Sequence, residues 1–522
     1  MNNVAGEVSR GRSTGRWLLL LVLALFIDRA ILLSEFGFAY VGSDDLTFWQ
    51  GATDYAQGVF REPYFYGQNY NFMLEALVAV PLLWCGVPHH IALPVATTLL
   101  ALFPFLFFAC MLHREGRTQE AALALLVPIA LPLQYGMLTT VSRGFVSGLF
   151  FSGFLIIPLL RPRGRWSFVV LAAATSLGVL CNPNSLVASL PVVFYVWLKN
   201  VRDTRYYIIM VLGAIATWYT QDLARTFYAE RPDHNVHTML ELRFWIGDVR
   251  DGFAHLDRFF SHLMPVVWPL GWLVVVALPA IGVALWKRDR AASIALFVGF
   301  AFVLLAMGVN KVNDDAGVLL HSSVRMYLAL PLLLVIGMHW WAAGLRPVLP
   351  NWERWSLVLA GLLLVVKMDV AGPVVREGIR MKEHSPIAVK HYKALEWDCK
   401  QLGDTLQKYD ADILVLLPYW AKGVPQMEYL DYGCPIIDER FPGTLMNVYE
   451  RRTWVYQSEP RAIHRTILLH GASPDLDTLR YYPDLSALRI DDRTVLVRNE
   501  RFRTGFILRL LGVELKRNAY QE

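Results

Sequence analysis

Two adjacent carboxylates, Asp44 and Asp45, follow a single apolar run from Trp17 to about Leu33. An acidic pair at the mouth of a first membrane helix is costly to keep there, and such residues commonly serve function. A carboxylate can take a proton from a hydroxyl as that oxygen attacks an electrophile. Either residue could instead cap a helix beginning near Leu46, although one cap accounts for only one Asp. The chain then continues through Tyr64-Phe-Tyr-Gly-Gln-Asn-Tyr-Asn-Phe-Met-Leu-Glu-Ala76, which adds Tyr66, Gln68, Tyr70 and Glu75. Aromatic faces beside amides and carboxylates suit a sugar, which offers apolar C–H faces and many hydroxyls.

A second set of residues is cationic. Arg143 lies in Thr139-Thr-Val-Ser-Arg-Gly-Phe145, and Lys311 and Arg325 flank the segment 310–327. Arginine binds phosphate through two parallel charge-assisted hydrogen bonds, so these three are candidate ligands for a lipid-linked phosphate. An ordinary headgroup contact, or an ion pair with Asp314 or Asp315, is the plainer reading. His89, His90, His234, His237 and His321, with Asp44, Asp45 and Glu75, could supply ligands to a divalent metal ion, but no spacing assigns them. The strings Asp410-Ala-Asp412 and Asp475-Leu-Asp477 read as ends of helices or turns.

The elements that must position these residues are mostly apolar. The 522-residue chain is 55% hydrophobic, with a mean hydropathy of +0.37, too apolar for a soluble enzyme. The net charge of +5 falls in short basic clusters between apolar runs and is not a nucleic-acid signature. There is no CxxC, HExxH, phosphate-binding P-loop or GxGxxG. The basic clusters Arg10/Arg12/Arg16, Arg114/Arg117, Arg161/Arg163/Arg165, Lys199/Arg202/Arg205, Lys287/Arg288/Arg290 and Arg346/Arg354 should face the cytoplasm. Alternation then predicts about eleven spans, near 17–33, 90–112, 120–136, 144–160, 166–181, 185–198, 206–220, 265–285, 291–309, 326–343 and 355–370. No small-residue cleavage site follows the first run, so it reads as an uncleaved span.

Parity allows no crossing between Phe72 and Val87, which reads as a re-entrant or interfacial helix in a long first outer loop, 34–89. The other outer segments are a short turn from Gln134 to Gly144, then 181–185, 221–264, 310–325 and the tail. The working surface is therefore expected on the periplasmic or extracellular side.

The membrane module should cover 1–370, and a small α/β domain should occupy 371–522. A helix over 387–409 and strands at 412–418 and 493–498 are expected there. Cys399 and Cys434 could pair in an oxidising compartment or remain thiols. The apolar stretch Gly505–Gly512 is short for a span and suits the membrane surface.

Taken together, the motifs resemble those of the GT-C glycosyltransferases, polytopic enzymes that take sugars from polyprenyl-phosphate carriers. The nearest likeness is to a bacterial group called family-39-like or dolichyl-phosphate-mannose-type. It rests on Asp44-Asp45, Tyr66-Gly-Gln-Asn-Tyr-Asn-Phe-Met-Leu-Glu-Ala76, Arg143-Gly-Phe145, Asn182-Pro183, Arg325-Met-Tyr-Leu-Ala-Leu-Pro331 and Pro418-Tyr-Trp420. Departures are Asp-Asp in place of Asp-Glu, Asn71 and Phe72 in place of two glycines, and Met326 splitting the Arg-Tyr pair.

The resemblance implies a GT-C-type polytopic α-helical membrane protein, with interfacial helices in its first periplasmic loop and a small C-terminal periplasmic domain. It implies inverting transfer from a polyprenyl-phosphate-linked sugar to an envelope glycan, glycolipid or protein. Asp44 would be the base and Asp45 its helper or a metal ligand. Tyr66, Gln68, Tyr70, Glu75, Asn182, His321 and Tyr327 would bind substrate, and Arg143, Arg325 and Lys311 the donor phosphate. A transporter of lipid-linked sugars would show inverted repeats, and none is seen; a non-catalytic glycolipid binder is the other alternative. The topology makes a direct prediction. Alkaline phosphatase joined after Arg250 should be active and joined after Gly164 inactive; the reverse pattern would invert the assignment.

Overall fold

A computed structural model of the chain describes residues 2–64, 71–231, 243–266, 268, 270–313, 325–343, 352–382, 389–417, 419–421, 424–441, 445–447, 462–471 and 474–513. In chain order, α1 (Asn2–Leu32) leads to strand β1 (Tyr40–Gly42) and α2 (Ser43–Ala56). Next come α3 (Leu74–Trp84), α4 (His89–Arg114), α5 (Thr118–Ala130), α6 (Leu133–Thr140), α7 (Phe145–Ser152) and α8 (Ile156–Leu160). They are followed by α9 (Ser167–Cys181), α10 (Leu186–Lys199), α11 (Thr204–Ala229), α12 (Ile246–Ala254) and α13 (Leu256–Phe260). The last helices before the tail are α14 (Trp272–Leu285), α15 (Arg290–Ala306), α16 (Asn310–Asn313), α17 (Leu330–Ala342) and α18 (Trp352–Lys382).

These helices fall where the apolar runs lie, because backbone in lipid must satisfy its own hydrogen bonds. By length and composition, three described stretches can each cross a bilayer: Gly15–Gly37, His89–Arg114 and Arg354–Arg380. Six other described apolar helices are shorter, and several runs are interrupted. The run expected over 120–136 is not one rod: α5 and α6 meet at a bend of 89°. Pro132 causes it, since it cannot donate to the carbonyl four residues back. The expected turn from Gln134 to Gly144 is therefore mostly a buried helix, α6, followed by a loop of four residues. Helix α3 has eleven residues, about 16 Å of rise, and is too short to cross. Helix α11 runs past 220 to Ala229, and α18 runs past the expected boundary at 370 to Lys382.

The chain forms two compact units. One comprises 1–38, 70–222 and 239–381; the other comprises 39–69, 223–238 and 382–522. The second unit thus gathers part of the first loop and the end of α11 with the tail.

In the tail, β2 (Val389–His391) precedes α19 (Tyr392–Tyr409), β3 (Ile413–Leu416), the ribbon of β4 (Trp420–Ala421) and β5 (Val424–Pro425), and α20 (Met427–Ile437). Strands β6 (Leu445–Asn447), β7 (Thr466–His470), β8 (Leu485–Arg489) and β9 (Thr494–Asn499) follow, and then α21 (Thr504–Leu510). The five-stranded sheet has the order β6-β3-β7-β9-β8. Strand β3 is parallel to both neighbours and buried throughout, which explains its unbroken apolar run.

Helix α21 does not present an apolar face to a membrane. Its Ile507 and Leu508, with Leu511 beyond it, pack against Ile413, Val415, Ile467 and Val497 of the sheet. Its apolar run was short because it needed to cover only one sheet face. The two acidic strings are structural. Asp412 accepts from the N–H groups of Arg465 and Thr466, and Asp475 from that of Asp477.

Cys399 of α19 and Cys434 of α20 form a disulfide across a sequence separation of 35. Replacing both with serine in the full chain should destabilise this unit by about 3–4 kcal/mol. Limited proteolysis should then cut within 390–440 faster, while an unchanged cleavage rate would show that helix packing suffices.

Candidate functional site

The acidic helix starts at a strand end. β1 pairs antiparallel with β2, with Tyr40 opposite His391 and Gly42 opposite Val389. Gly42 is the residue before α2, and Asp45, at the third helical position, accepts its N–H at 2.6 Å. This is half a capping box; glycine has no side chain to complete the other half. Asp45 is buried, while Asp44 one residue earlier is half-buried. The helix terminus favours negative charge at both positions. The two carboxylates therefore differ: Asp45 is engaged in starting the helix, and Asp44 keeps access to solvent.

The rest of α2 holds it in its unit. Leu46, Phe48, Trp49 and Ala52 are buried. A Cβ on Gly433 of α20 would lie 3.3 Å from Leu46, so acidic helix and tail helix are closely packed. Two further carboxylates, which sequence reading did not single out, are structural. Asp54 takes Arg61 at 2.7 and 3.1 Å. Glu62 accepts from the Tyr228 hydroxyl at 2.7 Å, tying the first loop to the end of α11. Burial, then the charges of Glu62 and Asp54, push the Tyr55 phenol up to about 12.

The other candidates converge in the helical unit. Gly144 follows Arg143 and takes a left-handed conformation, φ 77°. Its N–H donates to Glu75 Oε2 at 2.8 Å. Its carbonyl accepts from Asn182 Nδ2 at 3.3 Å, and the same amide donates to Asn71 Oδ1 at 2.7 Å. Asn182 Oδ1 accepts the N–H of Asn184, whose amide reaches the carbonyls of Phe145 and Arg325 at 2.9 and 3.3 Å. The Arg325 guanidinium lies 3.8 Å over the Phe145 ring. One amide-and-carboxylate lattice thus joins α3, the loop after α6 and the segments that lead into α10 and α17. Arg143 is 1% exposed, Glu75 0% and Arg325 8%.

Sequence reading had Glu75, Arg143, Asn182 and Arg325 as separate motifs; the fold connects them. It missed Asn184 as a partner, although the run Asn182-Pro-Asn184 was a visible signal for an amide-capped turn. Asn71, noted only as a departure from the family pattern, supplies an acceptor to Asn182. Tyr327 is fully buried, its ring 4.8 Å from that of Phe260. Lys311 belongs to α16. Tyr66, Gln68, Tyr70, His234, His237 and His321 lie outside the described residues. Among the described residues, no three His, Cys, Asp or Glu side chains gather as a metal site.

No family model matches the chain, and no curated protein does. Solved structures do. The crystal structure of ArnT from Cupriavidus metallidurans in the apo state has a TM-score of 0.53 at 14% identity, over 94% of this chain and 98% of that one. The structure of that protein bound to undecaprenyl phosphate has a TM-score of 0.52 at 13% identity, over 93% and 98%. The chain shares the fold of these two structures. At this identity the likeness is one of fold, spanning nearly both whole chains.

The lattice depends on Gly144. A Cβ there would meet the Asn71 side chain at 3.0–3.3 Å, on a backbone conformation that other residues rarely adopt. Gly144→Ala should cost about 1–3 kcal/mol and lower the thermal midpoint of the solubilised protein. An unchanged midpoint would mean that the loop can relax away from Asn71.

Proposed function

We propose that the chain is an inverting glycosyltransferase that moves a sugar from a polyprenyl-phosphate carrier to an envelope acceptor at the outer face of a bacterial inner membrane. The observation that carries this reading is the lattice that joins the buried Arg143 and Arg325 segments, in a GT-C fold shared with a protein crystallised with undecaprenyl phosphate. Guanidinium groups in a low-dielectric site bind phosphate strongly. The sidedness is supported by the basic clusters and by the Cys399–Cys434 disulfide, a bond that persists outside the reducing cytoplasm.

The chemistry follows from the roles. The acceptor hydroxyl oxygen attacks the anomeric carbon from the face opposite the phosphate. Its proton passes to the Asp44 carboxylate as the carbon–oxygen bond to phosphate breaks. The electron pair leaves on polyprenyl phosphate, where Arg143 and Arg325, with Lys311, offset the developing charge. Glu75 and Asn182 hold the loop that carries Arg143, and Tyr66, Gln68, Tyr70, His321 and Tyr327 are the remaining proposed substrate contacts. Asp45 serves mainly to fix the start of the helix that presents Asp44.

Membranes carrying Asp44→Asn should transfer sugar about 10²–10⁴-fold more slowly while still binding undecaprenyl phosphate. A wild-type rate would remove Asp44 as the base. Mass spectrometry of envelope glycans with and without the protein should show one missing sugar; no change, with no donor consumed, would overturn the enzyme reading.

A further inference from the structure

The break between α5 and α6 exposes backbone that something must satisfy. Pro132 has no N–H, so the Pro128 carbonyl loses its helical donor. Arg29 of α1 supplies one, its Nη2 reaching that oxygen at 3.2 Å. The Ala130 carbonyl, two residues along, accepts the N–H of Val266 at 3.1 Å. On the other limb, Arg29 Nη1 reaches Thr139 Oγ1 at 3.4 Å. One guanidinium therefore spans both sides of the bend.

The surroundings fit this use. Gly136 of α6 leaves the space, since a Cβ there would lie 2.8 Å from Arg29 Nη1 and 2.5 Å from Leu32. Asp28 is matched chiefly by Lys367 of α18 at 2.5 Å, with Arg29 farther off at 3.4 Å. All three charged residues are buried. Lys367 already neutralises the carboxylate, which leaves the Arg29 fork to the carbonyl and the hydroxyl. Lysine, a point charge without a planar fork, cannot reproduce that pairing.

We propose that Arg29 is a positioning residue: by bridging α5 and α6 it sets the loop 141–144 and hence Arg143. Helix α6 ends at Thr140, one residue after the Arg29 contact, and the loop begins at once. Ser142 of the loop bonds Thr97 of α4 at 2.6 Å, and Gly144 bonds Glu75 of α3. The loop is thus held from three sides, and Arg29 controls the side from which the chain enters. The functional consequence rests on the proposed phosphate-binding role of Arg143; the structural one does not.

The test uses the solubilised full chain, with Arg29→Lys and Thr139→Val. The second variant removes the hydroxyl that meets Arg29, along with its bonds to the Tyr135 and Gly136 carbonyls of α6, but no charge, so it reports even where the first fails to fold. Hydrogen exchange at amides 141–145 should quicken about tenfold in Arg29→Lys and less in Thr139→Val, with α4 and α7 unchanged. Binding of undecaprenyl phosphate should weaken about tenfold in Arg29→Lys, because small misplacements of a binding group are costly. Wild-type exchange at 141–145 in both variants, or protection lost evenly through the bundle, would overturn the inference. If the wild-type chain itself does not bind undecaprenyl phosphate, the proposed function fails, and the exchange result still decides the role of Arg29.

Discussion

A helix that stops within an apolar bundle leaves carbonyls with no water to take their place. Each such group costs about 1–3 kcal/mol if left unmade. Pro132 creates that situation, and the structure answers it with Arg29, Val266 and a glycine that makes room. Much of what surrounds Arg143 follows. The bend redirects the chain into α6, α6 delivers the loop, and the loop meets Glu75 and the asparagines. Arg29 is buried beside the Asp28–Lys367 pair, with Asp28 at 3.4 Å, so the group carries one excess positive charge that the Pro128 carbonyl and the Thr139 hydroxyl face. The polar residues of α1 and α18 are thus tied to a proline between two other helices.

The acidic helix follows a similar logic on a smaller scale. A helix start needs acceptors for its first N–H groups, or for the strand end before it. Asp45 meets that need through Gly42, and the strand pairing of β1 with β2 fixes where Gly42 lies. The neighbouring Asp44 is then placed by Asp45 and by Leu46 packed on α20. Two adjacent identical residues acquire different environments because successive helical positions differ by about 100° in direction. The tail domain has a part in this, since β2 and α20 both come from it. The disulfide between α19 and α20 strengthens the same support.

Local pattern made much of the architecture legible. Apolar runs became helices, the more polar tail holds a mixed sheet, and the 412–418 and 493–498 segments became β3 and β9 within a residue or two. The errors share a cause. The run 120–136 looked continuous because hydropathy ignores which residue lacks an N–H. The apolar end of the tail looked like a surface anchor because composition does not say whether a sheet or a membrane covers it. Helices α11 and α18 ran on because polar residues do not end a helix without a breaker. At the site, motif residues could be chosen by type, but Asn184 needed the return of the chain beside Phe145 and Arg325 to gain its partners.

The sequence by itself determined that this is an apolar, many-helix chain with a more polar tail, and that acidic, amide and cationic residues cluster in a few segments. Those properties depend on transfer free energy and charge, which are local and additive along the chain. Tertiary structure alone decided that Glu75, Asn71, Asn182 and Asn184 form one lattice around Gly144. It alone gave Asp45 rather than Asp44 the capping bond, and set Arg29 across a broken helix. Hydrogen bonds are short-ranged and directional, so residues far apart in sequence interact only once the backbone has brought them within about 3 Å.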